Sequence, residues 1–294
     1  MISPAQIRKA GLSLLYALME NGATIDAFDF ETYWEIGMET QRDRLHQAQA
    51  KAVLHCLRQQ SDSLRLLHER VEKAKDAVHG DGTATKLAEQ LDRYVDYSDR
   101  LEASLRALQY CVADKRREGT AQLALCSRDV MVLAATLVEL SDELFSAFGD
   151  WPAYRAVLAP IEPVVRRRLK TLRECADLRC PEVIRENPQY AALAGLESLV
   201  RELPVEVNRY VREVYASRET FETQMAPVLE HYSMERLAVV DKCILYIALY
   251  ELRRGLKVQI VVSEATDLAN TYSGNKSARF IHGVIAAIAA KSVA

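Results

Sequence analysis

The 294-residue chain is poor in the residues that break helices. It contains 11 glycines and 8 prolines, and most of them fall between long segments with helical periodicity. Alternating runs of β-branched residues, which are typical of strands, are almost absent. The six cysteines include no Cys-x-x-Cys pair and no His/Cys spacing of a zinc site, so we interpret them as reduced core thiols. The sequence therefore predicts an all-α protein without a metal or another cofactor.

The chain also lacks a strong net charge and a long apolar run. Lys and Arg total 38 against 41 Asp and Glu, and the formal net charge is -3. The protein as a whole has no positive electrostatic potential that would attract nucleic acid, so any affinity for RNA must come from a local basic patch. No segment approaches the ~20 apolar residues of a membrane helix, and residues 1–16 lack the pattern of a signal peptide. We expect a cytoplasmic protein that does not bind a membrane.

The length and the 49% of hydrophobic residues favour two domains. The first helix has clear signals at both ends, because Ser3 is able to cap it, Pro4 suits its first position, and Asn21-Gly22 stops it. A short second helix is predicted at residues 28–36.

The middle of the chain follows a heptad rhythm. Apolar residues alternate steps of four and three at 87–112 and 123–144, and looser seams occupy 54–78 and 154–176. Turn-forming residues at 80–82, 118–119 and 149–152 separate these four segments. Because short links between long helices favour antiparallel neighbours, we predict a four-helix bundle over about 41–180. A continuous coiled-coil rod is the alternative.

Compact helices return after residues 181–204, which are predicted to form a connector with a further short helix. The predicted helices occupy residues 205–217, 220–231, 234–252 and 259–272, and Ser277 is able to cap a last helix. The helix at 234–252 is apolar on nearly every side, so it is expected at the centre of its domain. Ser273-Gly274 forms the stop of the helix before the last.

Three motifs occur in order near the carboxyl end. Residues 244–252 read Ile-Leu-Tyr-Ile-Ala-Leu-Tyr-Glu-Leu, residues 262–265 read Val-Ser-Glu-Ala, and residues 280–285 read Phe-Ile-His-Gly-Val-Ile. They resemble the NusB family, whose pattern is roughly Leu-x-x-Ala-Leu-Tyr-Glu-Leu, then Ile-x-Glu-Ala, then Phe-Val-Asn-Gly-Val-Leu. Residues 8–16 also resemble the basic cluster that leads into Ala-Leu-Tyr at the start of the family.

The resemblance implies a non-enzymatic, RNA-binding transcription antitermination factor. Residues 1–40 and 205–294 would form the NusB-like RNA-binding domain, and residues 41–204 a helical-bundle insertion. Members of the family bind the boxA element of ribosomal RNA leaders together with the ribosomal protein NusE, and help RNA polymerase read through terminators. We therefore expect boxA-like RNA, NusE and the RNA polymerase antitermination complex as partners. Self-association into a homo-oligomer is left open.

Candidate RNA contacts occur first on the amino-terminal helix. Arg8 and Lys9 begin an amphipathic helix, from which flexible cations reach phosphates without being buried. Tyr16 has the ring needed to stack on a base. The alternative is a solvated helix face for the two cations and a core position for Tyr16.

The turn that contains Lys276, Ser277, Arg279 and Phe280 is the favoured RNA site. A helix amino terminus offers free N–H groups and a positive dipole to phosphate, and here two cations and one aromatic ring lie beside it. The alternative places Phe280 in the core and leaves both cations solvated.

Acidic residues in the motifs have other expected roles. Asp241 occupies a position where the family usually carries a polar residue near the NusE contact surface, and a buried pair with Arg236 or Lys242 is its alternative. Glu251 and Glu264 are expected in salt bridges or helix-end hydrogen bonds. They do not indicate acid–base catalysis, because no nucleophile or histidine partner accompanies them.

Two features favour other interpretations. Ala5 and Gln6 stand where the family has more of its basic cluster, so a NusB-fold protein-interaction scaffold without specific RNA binding is the second hypothesis. The basic run at residues 166–170, with Arg173, is expected to be a solvated face, and additional RNA or polymerase contacts are its alternative. A ribosomal RNA methyltransferase is disfavoured, because the sequence has no glycine-rich S-adenosylmethionine loop.

Overall fold

The computed structural model describes residues 2–58, 60–78, 85–114, 120–229 and 233–291, and the side chains of all of these except 60–65 and 78. Every regular element in these ranges is a helix, and none is a strand. The prediction of an all-α fold is confirmed. None of the helices in these ranges combines the length and the apolar character that a membrane crossing requires.

The described part of the chain contains fourteen α-helices. In chain order they are α1 Pro4–Glu20, α2 Phe30–Gly37, α3 Glu39–Cys56, α4 Gln60–Val78, α5 Thr85–Ala113, α6 Ala121–Asp150, α7 Arg155–Leu158, α8 Glu162–Asp177, α9 Pro181–Glu186, α10 Ala191–Ala216, α11 Arg218–Met225, α12 Val239–Arg253, α13 Val258–Tyr272 and α14 Asn275–Lys291. Short 3-10 turns occupy Pro152–Tyr154, Pro188–Tyr190 and Met234–Arg236.

The chain divides into two compact units. The first unit consists of Met1–Met38 and Ser198–Ala294, and the second unit is Glu39–Glu197. Each unit has its own hydrophobic core. The first unit is discontinuous in sequence because its amino-terminal helices pack against helices that follow residue 198.

In the first unit, α1 begins as the sequence predicts. Ser3 Oγ accepts a hydrogen bond from the Gln6 backbone N–H at 3.2 Å, and Gln6 Oε1 accepts one from the Ser3 N–H at 2.8 Å. This capping box satisfies two N–H groups at the helix end. Gly11 allows α1 to approach α10 closely, because a Cβ there would lie 3.0 Å from Cδ1 of Tyr210, and that ring would have to shift.

Helix α12 lies at the centre of the first unit, as its apolar sequence predicts. Every residue from Cys243 to Glu251 is buried. The helix contacts α1, α11, α13 and α14. A helix buried on all sides removes more apolar surface from water than a helix on the protein surface does. Each Å² of apolar surface removed stabilises the fold by roughly 25 cal/mol. Its burial is the main tie between the amino-terminal and carboxy-terminal parts of the unit.

Three helix boundaries in the first unit differ from the prediction. Helix α10 begins at Ala191 and continues through Pro204, so the predicted start of this helix at residue 205 is wrong, whereas the short helix predicted within 181–204 is present as α9. Helix α12 begins at Val239, because a 3-10 turn occupies the residues where an earlier start was expected. Helix α11 ends at Met225, and residues 230–231 of the longer predicted helix lie outside the described residues. The predicted stop of α13 is confirmed, with Gly274 at a φ of 116°.

The long helices of the second unit are antiparallel. Arg93 of α5 pairs with Glu143 of α6 at 3.6 Å, and Cys111 further along α5 lies beside Cys126 near the start of α6. The partners therefore run in opposite order along the two helices. The same order holds between α4 and α5, where residues 75 and 92 pair, as do 68 and 99. The prediction of antiparallel neighbours is confirmed.

The predicted number of bundle helices is wrong. The seam at residues 54–78 belongs to two helices, α3 and α4, so the described part of this unit contains five long helices, α3, α4, α5, α6 and α8. The alternative of one continuous rod is also wrong. The predicted break at 149–152 is real, since α6 ends at Asp150, whereas the breaks at 80–82 and 118–119 lie outside the described residues.

The basic run on α8 is not wholly solvated. Arg168 is only 2% exposed, its Nη1 donates to Ser98 Oγ at 3.0 Å, and its guanidinium lies 5.8 Å from the centre of the Tyr94 ring. Burial lowers the pKa of Arg168. The buried positions Val165, Arg168, Leu172 and Cys175 continue the seam in steps of three and four. An arginine thus occupies a buried position of this seam.

Candidate nucleic-acid interface

Arg8 is a core residue, so the expectation of a flexible surface cation is wrong at this position. It is 6% exposed, and its Nε lies 2.7 Å from Oε1 and 3.0 Å from Oε2 of Glu251. Its Nη1 lies 3.1 Å from Oε2 of Glu264. These contacts tie α1 to α12 and α13. The expected salt-bridge role of both glutamates is confirmed.

The surroundings of Arg8 keep it charged. Burial by itself lowers the pKa of the guanidinium, but the hydrogen bond and the charge of Glu251, with the charge of Glu264, raise this pKa above its usual value. Tyr210 donates a hydrogen bond to Glu251 Oε1 at 3.3 Å. Burial and the neighbouring Glu251 raise the pKa of Tyr210, so the phenol stays protonated as the donor. Arg8 is fully engaged inside the protein.

The exposed face of α1 carries other polar and aromatic residues. Gln6, Lys9, Ser13 and Tyr16 are all exposed, and their spacing of three or four residues places them along one side of the helix. Tyr16 is 41% exposed. Lys9 and Tyr16 are seven residues apart, which is about 10 Å along a helix. We name these four residues the α1 face.

The amino-terminal turn of α14 carries two exposed cations. Lys276 and Arg279 are both exposed, and neither forms an ion pair with the residues that the structure describes. The first turn of this helix contains no acidic residue. Phe280 is half-buried and packs against the core of the first unit. The two cations face solvent, whereas the Phe280 ring is partly buried against the core.

Ser277 has a different position from the one expected. Helix α14 begins at Asn275, so Ser277 lies inside the first turn and is not the cap. Its hydroxyl donates to Oδ2 of Asp241 at 3.0 Å and lies 2.9 Å from the hydroxyl of Ser273, which donates to it. Ser277 thereby ties the start of α14 to the start of α12.

Asp241 is 7% exposed, and it does not pair with Arg236 or Lys242 among the contacts of the described residues. Its Oδ1 is buried and has no hydrogen-bond partner in the described part of the chain. An acidic residue in the first turn of α12 is favoured by the helix dipole. The carboxylate is thus placed to orient Ser277, and its burial limits direct contact with another protein.

The predicted residues form two groups. Ser277 contacts Asp241 at the start of α12, whereas Arg8 contacts Glu251, ten residues or about 15 Å further along this helix. Because Cys243 Sγ lies 3.5 Å from the sulfur of Met19, α1 runs antiparallel to α12. Tyr16 therefore lies toward the α12 end where α14 starts, and Arg8 lies toward the opposite end.

The sequence interpretation missed two residues that complete these contacts. Tyr210 adds a second partner to Glu251, and Ser273 adds a donor to Ser277. Helix periodicity does not relate the two serines, because the chain leaves α13 at Ser273 and turns at Gly274 before α14 begins. No local signal relates Tyr210 to Glu251, since they are 41 residues apart.

Comparison with known proteins identifies the family of the carboxy-terminal part of the chain. The model of the NusB family matches residues 187–290. The transcription antitermination protein NusB of Pseudothermotoga lettingae is 27% identical over 110 residues, which cover 37% of this chain and 74% of that protein. The NusB protein of Anaeromyxobacter sp. is 33% identical over 97 residues, which cover 33% of this chain and 68% of the relative.

A third relative agrees with these two. The NusB protein of Clostridium botulinum strain Hall is 31% identical over 106 residues, covering 35% of this chain and 74% of the relative. No solved structure matches the chain. The matched region includes α12, α13 and α14, in which the three motifs lie. On these similarities, the chain belongs to the NusB family.

Proposed function

We propose that this protein is a non-enzymatic transcription antitermination factor that binds boxA-like RNA of ribosomal RNA transcripts together with NusE. The name of its relatives supports the role in transcription antitermination. The observation that carries RNA binding is the pair of unpaired cations, Lys276 and Arg279, at the amino terminus of α14.

The position of these cations is unfavourable for the helix by itself. The amino terminus of a helix has a partial positive charge. A cation there destabilises the helix by about 0.3–1 kcal/mol, whereas an acidic residue would stabilise it. The unpaired backbone N–H groups of the first turn add further donors. A phosphate at this point neutralises both cations and accepts from those N–H groups. The first turn of α14 is therefore the phosphate-binding part of the proposed surface.

The α1 face supplies a complementary contact. Single-stranded RNA is commonly bound by stacking bases on aromatic rings while cations hold the backbone. Tyr16 presents an exposed ring, and Lys9 lies two turns away on the same face. We include Lys9 and Tyr16 in the RNA surface and assign Arg8 to the support of α1. The burial of Arg8 supports this assignment.

Asp241 and Ser277 act from beneath this surface in the proposal. Their hydrogen bond fixes the start of α14 against α12, so the two cations keep a defined position. We propose that NusE and the RNA polymerase antitermination complex bind beside this region, where Asp241 contributes by positioning Ser277. The family resemblance supports the choice of these partners.

Quantitative binding to boxA-like RNA and to a scrambled RNA, with and without NusE over a salt series, tests the proposal. The double variant Lys276→Ala/Arg279→Ala should bind boxA-like RNA more weakly and lower the salt slope by roughly 1.4, since each phosphate contact on a single strand contributes about 0.7. The variant Arg279→Ala/Phe280→Ala should also weaken binding, but Phe280 packs on the core, so its folding must be measured as well.

Lys291→Ala is the matched control, because Lys291 is an exposed cation in the last turn of the same helix. This control should retain the affinity and the salt slope of the parent. Equal binding of the parent and the Lys276/Arg279 variant contradicts the site. Equal binding of boxA-like and scrambled RNA by the parent contradicts specific recognition.

A second candidate function is a protein-interaction scaffold with the NusB fold and without specific RNA binding. The burial of Arg8 favours it, because this cation is removed from the RNA surface that the sequence predicts. Capture of ribosomal or polymerase proteins from RNase-treated lysate, together with no boxA preference in a gel shift, would favour the scaffold.

A further inference from the structure

Two cysteines of the second unit lie close together at one end of a helix pair. Cys111 belongs to the last turn of α5, and Cys126 belongs to the second turn of α6. Their sulfur atoms are 3.7 Å apart. Cys111 is half-buried, Cys126 is 8% exposed, and both are free thiols.

The two sulfur atoms are in contact but are not bonded. An S–S bond is about 2.05 Å long, so the two sulfurs must approach by roughly 1.7 Å. Cys111 lies two residues before the end of α5 at Ala113. The last turn of a helix has carbonyl groups without helical partners and opens more easily than the middle. A small movement of this turn, or a rotation of the side chains, brings the sulfurs into bonding distance.

We propose that Cys111 and Cys126 form a reversible disulfide when a hydroperoxide such as hydrogen peroxide oxidises the protein. This inference is independent of the proposed RNA binding. The disulfide would close a loop between two residues that are fifteen positions apart and hold the adjoining ends of α5 and α6 together. Such a bond restricts the unfolded chain and stabilises the helix pair.

The chemistry balances in two steps. The Cys111 thiolate attacks the peroxide, an S–O bond forms, the O–O bond breaks, and hydroxide leaves with a proton as water. The Cys126 thiolate then attacks the Cys111 sulfur, the S–S bond forms, the S–O bond breaks, and a second hydroxide leaves as water. The two sulfurs lose two electrons, which reduce the peroxide to two waters. A dithiol reverses the reaction by thiol–disulfide exchange.

The order of attack follows from the two environments. Burial raises the pKa of the Cys126 thiol, although a hydrogen bond from Gln122 at 3.6 Å opposes this effect. Cys111 is the more exposed sulfur and meets the oxidant first. Cys126 lies beside it as the resolving thiol.

The other cysteines provide an internal comparison. Cys243 is buried, and burial raises the pKa of its thiol to about 12. Cys175 is buried as well, and burial raises its pKa. Cys180 is exposed and meets the oxidant without obstruction. Exposure alone therefore predicts oxidation of Cys180, whereas the proposal predicts an intramolecular bond between Cys111 and Cys126.

Peptide mapping of the full chain without reduction tests the proposal. The protein is treated with hydrogen peroxide, free thiols are blocked, and trypsin cleaves after Lys115 and Arg117. The expected product links peptides 107–115 and 118–128, which carry the two cysteines. It should appear in monomeric protein, lower the free-thiol count by two per chain, raise the thermal midpoint, and disappear after dithiothreitol.

Matched variants complete the test. Cys111→Ser and Cys126→Ser should each abolish the linked peptide, and Cys180→Ser should leave its yield unchanged. A thermal scan of the reduced variants shows whether each is folded before oxidation. Absence of the 107–115 to 118–128 link at a peroxide dose that converts Cys180 to its sulfenic acid overturns the proposal. Links that form mainly through Cys180 also overturn it.

Discussion

Arg8 and Glu251 form a buried ion pair between residues that are 243 positions apart, with the Arg8 Nε 2.7 Å from one carboxylate oxygen and 3.0 Å from the other. The pair joins the first helix to the helix at the centre of the first unit. Both side chains are less than a tenth exposed. A contact of this kind is strong only while both charges are present. Without Arg8, the buried Glu251 loses its cation and keeps the Tyr210 hydroxyl, and without Glu251, Arg8 keeps Glu264 at 3.1 Å.

Removing one member of this pair should therefore destabilise the first unit strongly. We expect Arg8→Ala to lower the free energy of unfolding by about 3–5 kcal/mol, measured by urea denaturation, and Glu251→Ala to lower it by less, because Arg8 keeps Glu264 as a partner. Arg209→Ala is the control, since Arg209 pairs with Glu206 on an exposed helix surface and should change stability by less than about 1 kcal/mol. A loss at Arg8 no larger than at Arg209 would contradict the structural role of the pair.

The Ser277 hydroxyl should contribute to stability as well as to the position of α14. In Ser277→Ala, Asp241 Oδ2 loses its hydrogen-bond donor while Oδ1 is already without a partner. We expect a loss of about 1–3 kcal/mol in the free energy of unfolding. Ser13→Ala is the control, because the Ser13 hydroxyl is exposed and bonds only within its own helix among the described contacts. Additive effects of Ser277→Ala and Asp241→Ala in a double-mutant cycle would show that the pair is not coupled.

Substitutions of Tyr16 should show whether its ring stacks on RNA bases or packs in the core. If its ring stacks on RNA, Tyr16→Ala weakens boxA-like RNA binding by about 1–3 kcal/mol, and Tyr16→Phe retains most of the affinity, since the ring supplies the contact. Binding is measured by fluorescence anisotropy at fixed salt. A clear drop in thermal stability of Tyr16→Ala with unchanged RNA affinity would instead assign the ring to the core.

His46 should make the stability of the second unit depend on pH. Thr120 Oγ1 donates to Asp43 at 2.6 Å, so the His46 Nδ1, 2.8 Å from the same oxygen, must be the donor in this contact. Burial lowers the pKa of His46. The unfolded chain therefore takes up a proton at higher pH than the folded one. The free energy of unfolding should fall as the pH drops below about 6.5 and level off below the folded-state pKa.

The slope from this one group is less than about 1.4 kcal/mol per pH unit, because at most one proton is involved. Urea denaturation between about pH 5 and pH 8 measures it. His46→Asn should flatten the slope, whereas His55→Asn, at an exposed position on the same helix, should retain it. An unchanged slope in His46→Asn would contradict the assignment.

Several parts of the fold were predictable because local patterns determine them. The Ser3 cap, the buried central helix and the stop at Gly274 depend on residues that are neighbours in sequence. The antiparallel order of the long helices followed from short links between them. Pro204 misled the boundary prediction, since proline usually ends a helix, yet α10 continues through it.

The candidate site was predictable only in part. The exposed cations Lys276 and Arg279 could be found from the motif and the helix start. The burial of Arg8 could not be predicted. Periodicity shows on which side of a helix a residue lies, but it does not show which carboxylates of a distant helix lie next to it. Arg168 shows the same limit, since a charged residue occupies a seam position and finds Ser98 on another helix.

The sequence by itself determined the helical class, the family motifs and some helix ends, such as the Ser3 cap and the stop at Gly274, because these depend on propensities and spacings over a few residues. Only the tertiary structure decided which cations are free to meet a ligand. That outcome depends on contacts between residues far apart in sequence: Glu251 and Glu264 bury the charge of Arg8, whereas the described residues bring no carboxylate to Lys276 or Arg279.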